Sequence, residues 1–290
     1  MSINMKHYPH KRICDEFYSI IDFLKAVGAK DNNKNWHWAR WEWLLGHSNL
    51  DESTLPKIGL FMDDDQIVGL VTHDMRKPAY ILLNPKYDNL KPGIVDYVVA
   101  EFSYDGISQL FIDKNDTELV STVTTKGYNF TEKSEYVLEL DCTKKLIYDL
   151  DSKFFITDYD VDKNIDKYVE VIHKGFGNDG ESIKGLTESD FPEKPHENPK
   201  LAVFIVAPNG EYAAHCGTWY SQDTEVCYVE PVVTIPEFRG HGLGKAVVYE
   251  SINRCIEMGA KKAIVISNQQ FYHSIGFKEY SVCHLWEKKV

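Results

Sequence analysis

Between a strand-like apolar run and a helix-like apolar run, Arg239-Gly240-His241-Gly242-Leu243-Gly244 sets three glycines at alternate positions. Glycine is the residue most costly to order, so this clustering points to left-handed backbone or to close approach of the main chain to a ligand. An ordinary tight turn is the plainer alternative. Glycines at a helix start leave backbone N–H groups open at the positive end of the helix dipole, which suits a phosphate. Other phosphate loops fit poorly: the spacing is G-x-G-x-G and not G-x-G-x-x-G, and Lys245 is followed by Ala246 where a P-loop needs Ser or Thr. Two elements must position the loop. EVCYVEPVVT, residues 225–234, reads as a strand from its β-branched and aromatic content. LGKAVVYESINRCIEMGA, residues 243–260, reads as a helix, with Ile252, Cys255, Ile256 and Gly259 spaced as one buried face.

The 290 residues are enough for one large domain or two ordinary ones, and 43% hydrophobic content supplies their cores. A formal charge of −12 with no basic stripe opposes a nucleic-acid role, because phosphate backbones are bound by clustered Lys and Arg. No run approaches the length of a membrane span, and the opening residues lack the apolar core of a signal peptide, so a cytoplasmic protein without membrane partners is expected. Six cysteines lie scattered with no C-x-x-C and are expected to be reduced and mostly buried. Eleven histidines form no ligand spacing, so no metal is predicted. Oligomeric state is not legible.

A hairpin signal occurs twice, in LFMDDDQIVGLV and in AVFIVAPNGEYAAHCGTWY, where Asn209-Gly210 favours a tight turn. Each is followed by more strand and a Pro-x-aromatic, Pro85-Lys86-Tyr87 and Pro236-Glu237-Phe238. Further on, a Gly-aromatic pair opens a last strand, Gly127-Tyr128 and Gly276-Phe277. This is an internal repeat of domain size. The boundary is placed in DCTKKLIYDLDSK, giving tandem αβ domains over residues 1–145 and 146–290.

The R-x-x-G-x-G spelled by Arg239 to Gly244, joined to Tyr272-x-x-x-Gly276-Phe277, resembles the GNAT family of acyl-CoA-dependent N-acyltransferases. The resemblance covers the second half and implies an α/β (α+β) fold of two tandem GNAT-like domains, each a mixed, mostly antiparallel sheet flanked by helices. It implies acetyl-CoA as cosubstrate. The loop from Arg239 through Gly240, His241, Gly242, Leu243 and Gly244 to Lys245 would hold the pyrophosphate, and the backbone of Val232, Val233 and Thr234 would take the pantetheine arm. Pro231 lacks a ladder donor and belongs at a bulge, which the family has in this strand. Glu230 stands where related diamine acetyltransferases carry a glutamate base; a solvent-facing or cation-paired strand residue is the other reading, with Tyr228 and Glu225 as alternatives. Tyr272 matches the family tyrosine that can protonate the departing sulfur, against a reading as a packing aromatic. A backbone N–H near Val232 would polarise the carbonyl.

The acceptor implied is a primary amine of a small molecule or peptide. Acidic residues outnumber basic ones in residues 175–199, where the family builds its acceptor wall; such loops are also simply solvated. His215 and Trp219 are further candidates for that pocket. In the first half, Asp88 stands in the place of Arg239, Leu90, Lys91 and Pro92 fall across the glycine positions, and Val123 takes the place of Tyr272, so this half reads as a degenerate domain without a cofactor loop. The aromatic cluster around Trp36, Trp43 and Leu44 reads as packing. Two functions stand: an N-acetyltransferase, or a non-catalytic acyl-CoA-binding or regulatory protein.

Overall fold

The computed structural model describes residues 3–28, 35–177 and 193–290. They form two compact units. The first runs to Leu138 and takes in Ile266–Gln269 and Glu279–Val290; the second holds Glu139–Val265 and Gln270–Lys278.

In the first unit, β1 (Ile3–His7), α1 (Asp15–Gly28) and α2 (Trp38–Leu45) precede β2 (Gly59–Asp63), β3 (Gln66–His73) and β4 (Ala79–Leu83). A 3₁₀ turn over Pro85–Leu90 leads to α3 (Lys91–Glu101), β5 (Ser103–Tyr104), β6 (Ile107–Asp113), α4 (Thr117–Thr125) and β7 (Asn129–Asp141), whose last residues lie in the second unit. The second unit continues with β8 (Phe155–Asp158), α5 (Ile165–Gly175), β9 (Ala202–Val206), β10 (Tyr212–Trp219), β11 (Val226–Thr234), a 3₁₀ turn over Pro236–Phe238, α6 (Leu243–Met258), β12 (Lys262–Ile266) and α7 (Gln270–Ser274). The closing strand, β13 (Lys278–Lys289), belongs from Glu279 onward to the first unit, where it pairs antiparallel with β6.

Strand pairing within each unit is mixed and mostly antiparallel. The first follows β1-β2-β3-β4-β6-β13 and the second β8-β9-β10-β11-β12, and each has one parallel pair. Both parallel pairs are short. β4 meets β6 only at Ala79 and Leu110, and β11 meets β12 only from Val226 to Tyr228. The last part of each strand therefore diverges from its parallel neighbour.

Local sequence explains the elements. α1 buries Phe17, Ile20, Ile21, Leu24 and Val27 along one stripe, with Asp15 and Glu16 in its first turn and Lys25 in its last, as the helix dipole favours. All of β10 is buried, as expected of a central strand covered on both faces. In the second unit Val171, Phe204, Val206, Tyr212, Val233 and Ile235 pack together, each fully buried side chain contributing about 1.5–3 kcal/mol. Gly259, which the helical spacing put on a buried face, is instead exposed at the end of α6, where φ of +114° makes it the left-handed cap. Trp36 and Leu44 are core residues of the first unit and Trp43 is half-buried. The Arg40 guanidinium stacks on Trp36 at 4.5 Å and donates two 2.9 Å hydrogen bonds to Glu135. All six cysteines are free thiols, five buried and Cys14 half-buried.

Candidate active site

The glycine loop closes a strand-turn-helix in the second unit. The 3₁₀ turn is sealed by Arg239 N–H donating to the Pro236 carbonyl at 3.2 Å, so the run of open donors starts at Gly240, one residue later than the motif suggested. The first helical bond is Ala246 N–H to the Gly242 carbonyl at 3.1 Å. Among the described residues, nothing accepts from the N–H groups of residues 240 to 245. Gly240 and Gly242 have φ of +82° and +76°, and a Cβ built on either meets no atom within 4 Å. Their lack of a side chain thus serves backbone conformation and open access in front of the donors. Gly244 differs: a Cβ there would lie 3.1 Å from Phe271 and 3.3 Å from Thr234 Oγ1, so this glycine lets α7 and β11 pack on the helix start.

Side chains brace the loop from behind. Arg239 Nε donates to the Thr234 carbonyl at 3.1 Å and its Nη2 to the Gly175 carbonyl at 3.3 Å, joining the loop to β11 and to the end of α5. Leu243 is buried, His241 is exposed 6.2 Å from the Phe154 ring, and the Lys245 ammonium lies 5.2 Å from the Tyr249 ring centroid.

β11 supplies the second wall. Thr234, Val233 and Val232 pair with Ala214, His215 and Cys216, after which the register shifts before Thr218 meets Val229. The bulge falls at Glu230 and Pro231, opposite Gly217. A Cβ on Gly217 would stand 2.7 Å from the Glu230 carbonyl oxygen and 3.0 Å from Pro231 Cδ, so only glycine fits. The Trp219 indole donates to the same carbonyl at 3.2 Å. Since pairing with β12 stops at Tyr228, the opposite edge of Val232 to Thr234 has no strand partner among the described residues.

Tyr272 sits on α7, mostly buried, with its ring edge-on to Phe271 and Phe277 at 5.1 and 5.6 Å. Its hydroxyl is held above the ordinary tyrosine value, first by burial and then by the Glu230 carboxylate and the Cys216 thiol. Glu230 and Tyr272, far apart in sequence, therefore act on one another electrostatically. Glu225 is ion-paired to Lys261 and exposed, and Tyr228 is buried. His215 is a core residue: Nδ1–H donates to the Val203 carbonyl at 3.0 Å, the ring stacks on Phe204 at 4.4 Å, and burial lowers its pKa to about 3. Of the acidic segment 175–199, residues 178–192 lie outside the described residues. Phe271, Gly217 and the Trp219 bond have no motif of their own; each depends on which strand or helix lies alongside.

This geometry has relatives. Residues 171–277 match the model of the acetyltransferase (GNAT) family. The chain is 26% identical over 76 residues to a protein of Bacillus subtilis (strain 168) named as a putative ribosomal protein bS18-alanine N-acetyltransferase, a match covering 26% of this chain and 49% of that protein. Two solved structures share the fold along the whole chain. One is a tandem GNAT protein from the clavulanic acid biosynthesis pathway, solved without AcCoA, with TM-score 0.60 and 10% identity, covering 99% of this chain and 98% of the other. The second is a GCN5-related N-acetyltransferase from Sphaerobacter thermophilus, with TM-score 0.57 and 12% identity, covering 99% and 95%. No helix among the described residues is long and apolar enough to cross a membrane.

Proposed function

We propose that the chain transfers an acetyl group from acetyl-CoA to a primary amine of a small molecule or peptide by direct attack. The observation that carries this reading is the set of open N–H groups from Gly240 to Lys245, at a helix start beside the unpaired edge of β11. Such a helix start fits a pyrophosphate, and an unpaired strand edge fits the amides of a pantetheine arm. Acetyl-CoA supplies an acetyl group activated as a thioester. Glu230 takes the proton the attacking amine must lose, directly or through water, and Tyr272, kept protonated by its surroundings, gives a proton to the sulfur as the C–S bond breaks. A strand-edge N–H near Val232 polarises the carbonyl.

The first half, residues 1–145, acts as a degenerate GNAT-like domain in this proposal. The Val123 carbonyl accepts from Tyr128 N–H at 3.0 Å just as the Tyr272 carbonyl accepts from Phe277 N–H at 3.0 Å, which supports aligning Val123 with Tyr272. At the start of α3, Lys91 N–H is engaged by the Asp88 carbonyl and Pro92 has no N–H to give. Release of free thiol from acetyl-CoA across polyamines, aminoglycosides, amino acids and peptides tests the activity. Turnover with at least one amine supports it. Tight acetyl-CoA binding with no turnover on any of them would leave the chain an acyl-CoA-binding protein.

A further inference from the structure

Where β4 and β6 diverge, the first unit contains a cavity of about 350 Å³, near the lower end of the range of small-molecule sites. Its walls are of two kinds. Tyr80, Ile81, Phe111 and Leu119 are apolar or aromatic, while Asp88, Asp113 and Asp116 set three carboxylates against one ammonium, Lys91. Lys91 is already committed. Its side chain is 7% exposed and its Nζ lies 3.1 Å from Asp88, 2.9 Å from Asp116 and 3.3 Å from Glu118. Burial disfavours that charge, but Asp116 and Asp88 outweigh it and keep the ammonium above the usual lysine value. An anion entering this cleft would therefore meet excess negative charge and a lysine with no spare capacity.

A separate observation concerns Asn35. It lines the same cavity and is 7% exposed, yet its side-chain amide has no hydrogen-bond partner among the described residues. Its backbone carbonyl, by contrast, accepts from Arg40 at 2.6 Å, which fixes this residue at the cavity wall.

We propose that this cleft binds a small organic cation with an apolar body. The Asp88, Asp113 and Asp116 carboxylates meet its charge, Asn35 accepts an N–H from it, and Tyr80 and Phe111, whose rings lie 5.8 Å apart, cover its body. The site is lined by residues of the first unit and does not depend on acetyl transfer.

Phenethylamine is the probe, with neutral 2-phenylethanol and anionic phenylacetate as matched bodies, titrated calorimetrically into the full chain. Saturable binding of the amine is expected, with the alcohol roughly tenfold weaker and no detectable phenylacetate binding. Asn35→Leu and Asp88→Asn should each weaken the amine roughly tenfold or more, while Glu230→Gln leaves that component in place. Asp88 is partly exposed, so its variant keeps the test valid if Asn35→Leu fails to fold. Absence of saturable binding up to about 10 mM would overturn the proposal. So would equal binding of all three bodies, or an amine component that survives both first-unit variants and disappears in Glu230→Gln.

Discussion

Tyr272 keeps its proton because burial and the neighbouring Glu230 carboxylate both oppose a phenolate. A group so poised can donate across the whole neutral and mildly alkaline range, so Tyr272→Phe should lower turnover by roughly ten- to a thousand-fold and leave acetyl-CoA affinity nearly unchanged. Steady-state kinetics beside a binding titration checks this, and an equal loss of binding would mean packing alone. Glu230→Gln should show a rate deficit that shrinks as pH rises and more of the amine is already neutral; a deficit constant across pH would make Glu230 a positioning residue. His215 offers a test of stability. Its pKa falls from about 6.5 unfolded to about 3 folded, so below about pH 6.5 the unfolded chain binds a proton that the native state refuses. Stability from this residue is complete above that pH and declines by about 1.4 kcal/mol per unit as the medium is acidified toward pH 3. His215→Phe should flatten the acid limb of the melting temperature measured from pH 7 to pH 4, and an unchanged slope would count against a neutral buried imidazole.

At the level of elements, the working part is a strand that bulges and a helix that begins without a side-chain cap. Gly217→Ala would push a methyl group against the Glu230 carbonyl and Pro231, costing about 1–3 kcal/mol and displacing the bulge. Lowered thermal stability together with reduced turnover is expected; a variant with wild-type values for both would show that the bulge has room to spare. Much of this element was legible in single segments. Asn209-Gly210 marks the turn between β9 and β10, the apolar spacing marks α6, and the alternate glycines mark the loop between β11 and α6. The bulge itself was not legible, although Pro231 hinted at it, because register belongs to two strands and Gly217 looks like any strand glycine until its neighbour is known. Phe271 was missed for the same reason: only the fold brings α7 against Gly244. Gly259 was misread because a cap glycine continues the spacing of the face it ends.

On the scale of the whole molecule, the starts of α6 and α3 carry opposite chemistry. One presents open N–H groups behind glycines, and the other a lysine enclosed by Asp88, Asp116 and Glu118. The glycines at the start of α6 stand in the sequence, but the enclosure of Lys91 depends on α4 coming alongside α3, which no local pattern carries. The most direct measurement is a calorimetric titration of acetyl-CoA into the full chain and into Gly242→Glu, with the melting temperature of each free protein as a control for the left-handed backbone at that glycine. The account predicts a molar ratio near one for the natural chain and no binding in the variant. A ratio of two, or binding of comparable affinity retained by Gly242→Glu, would contradict it.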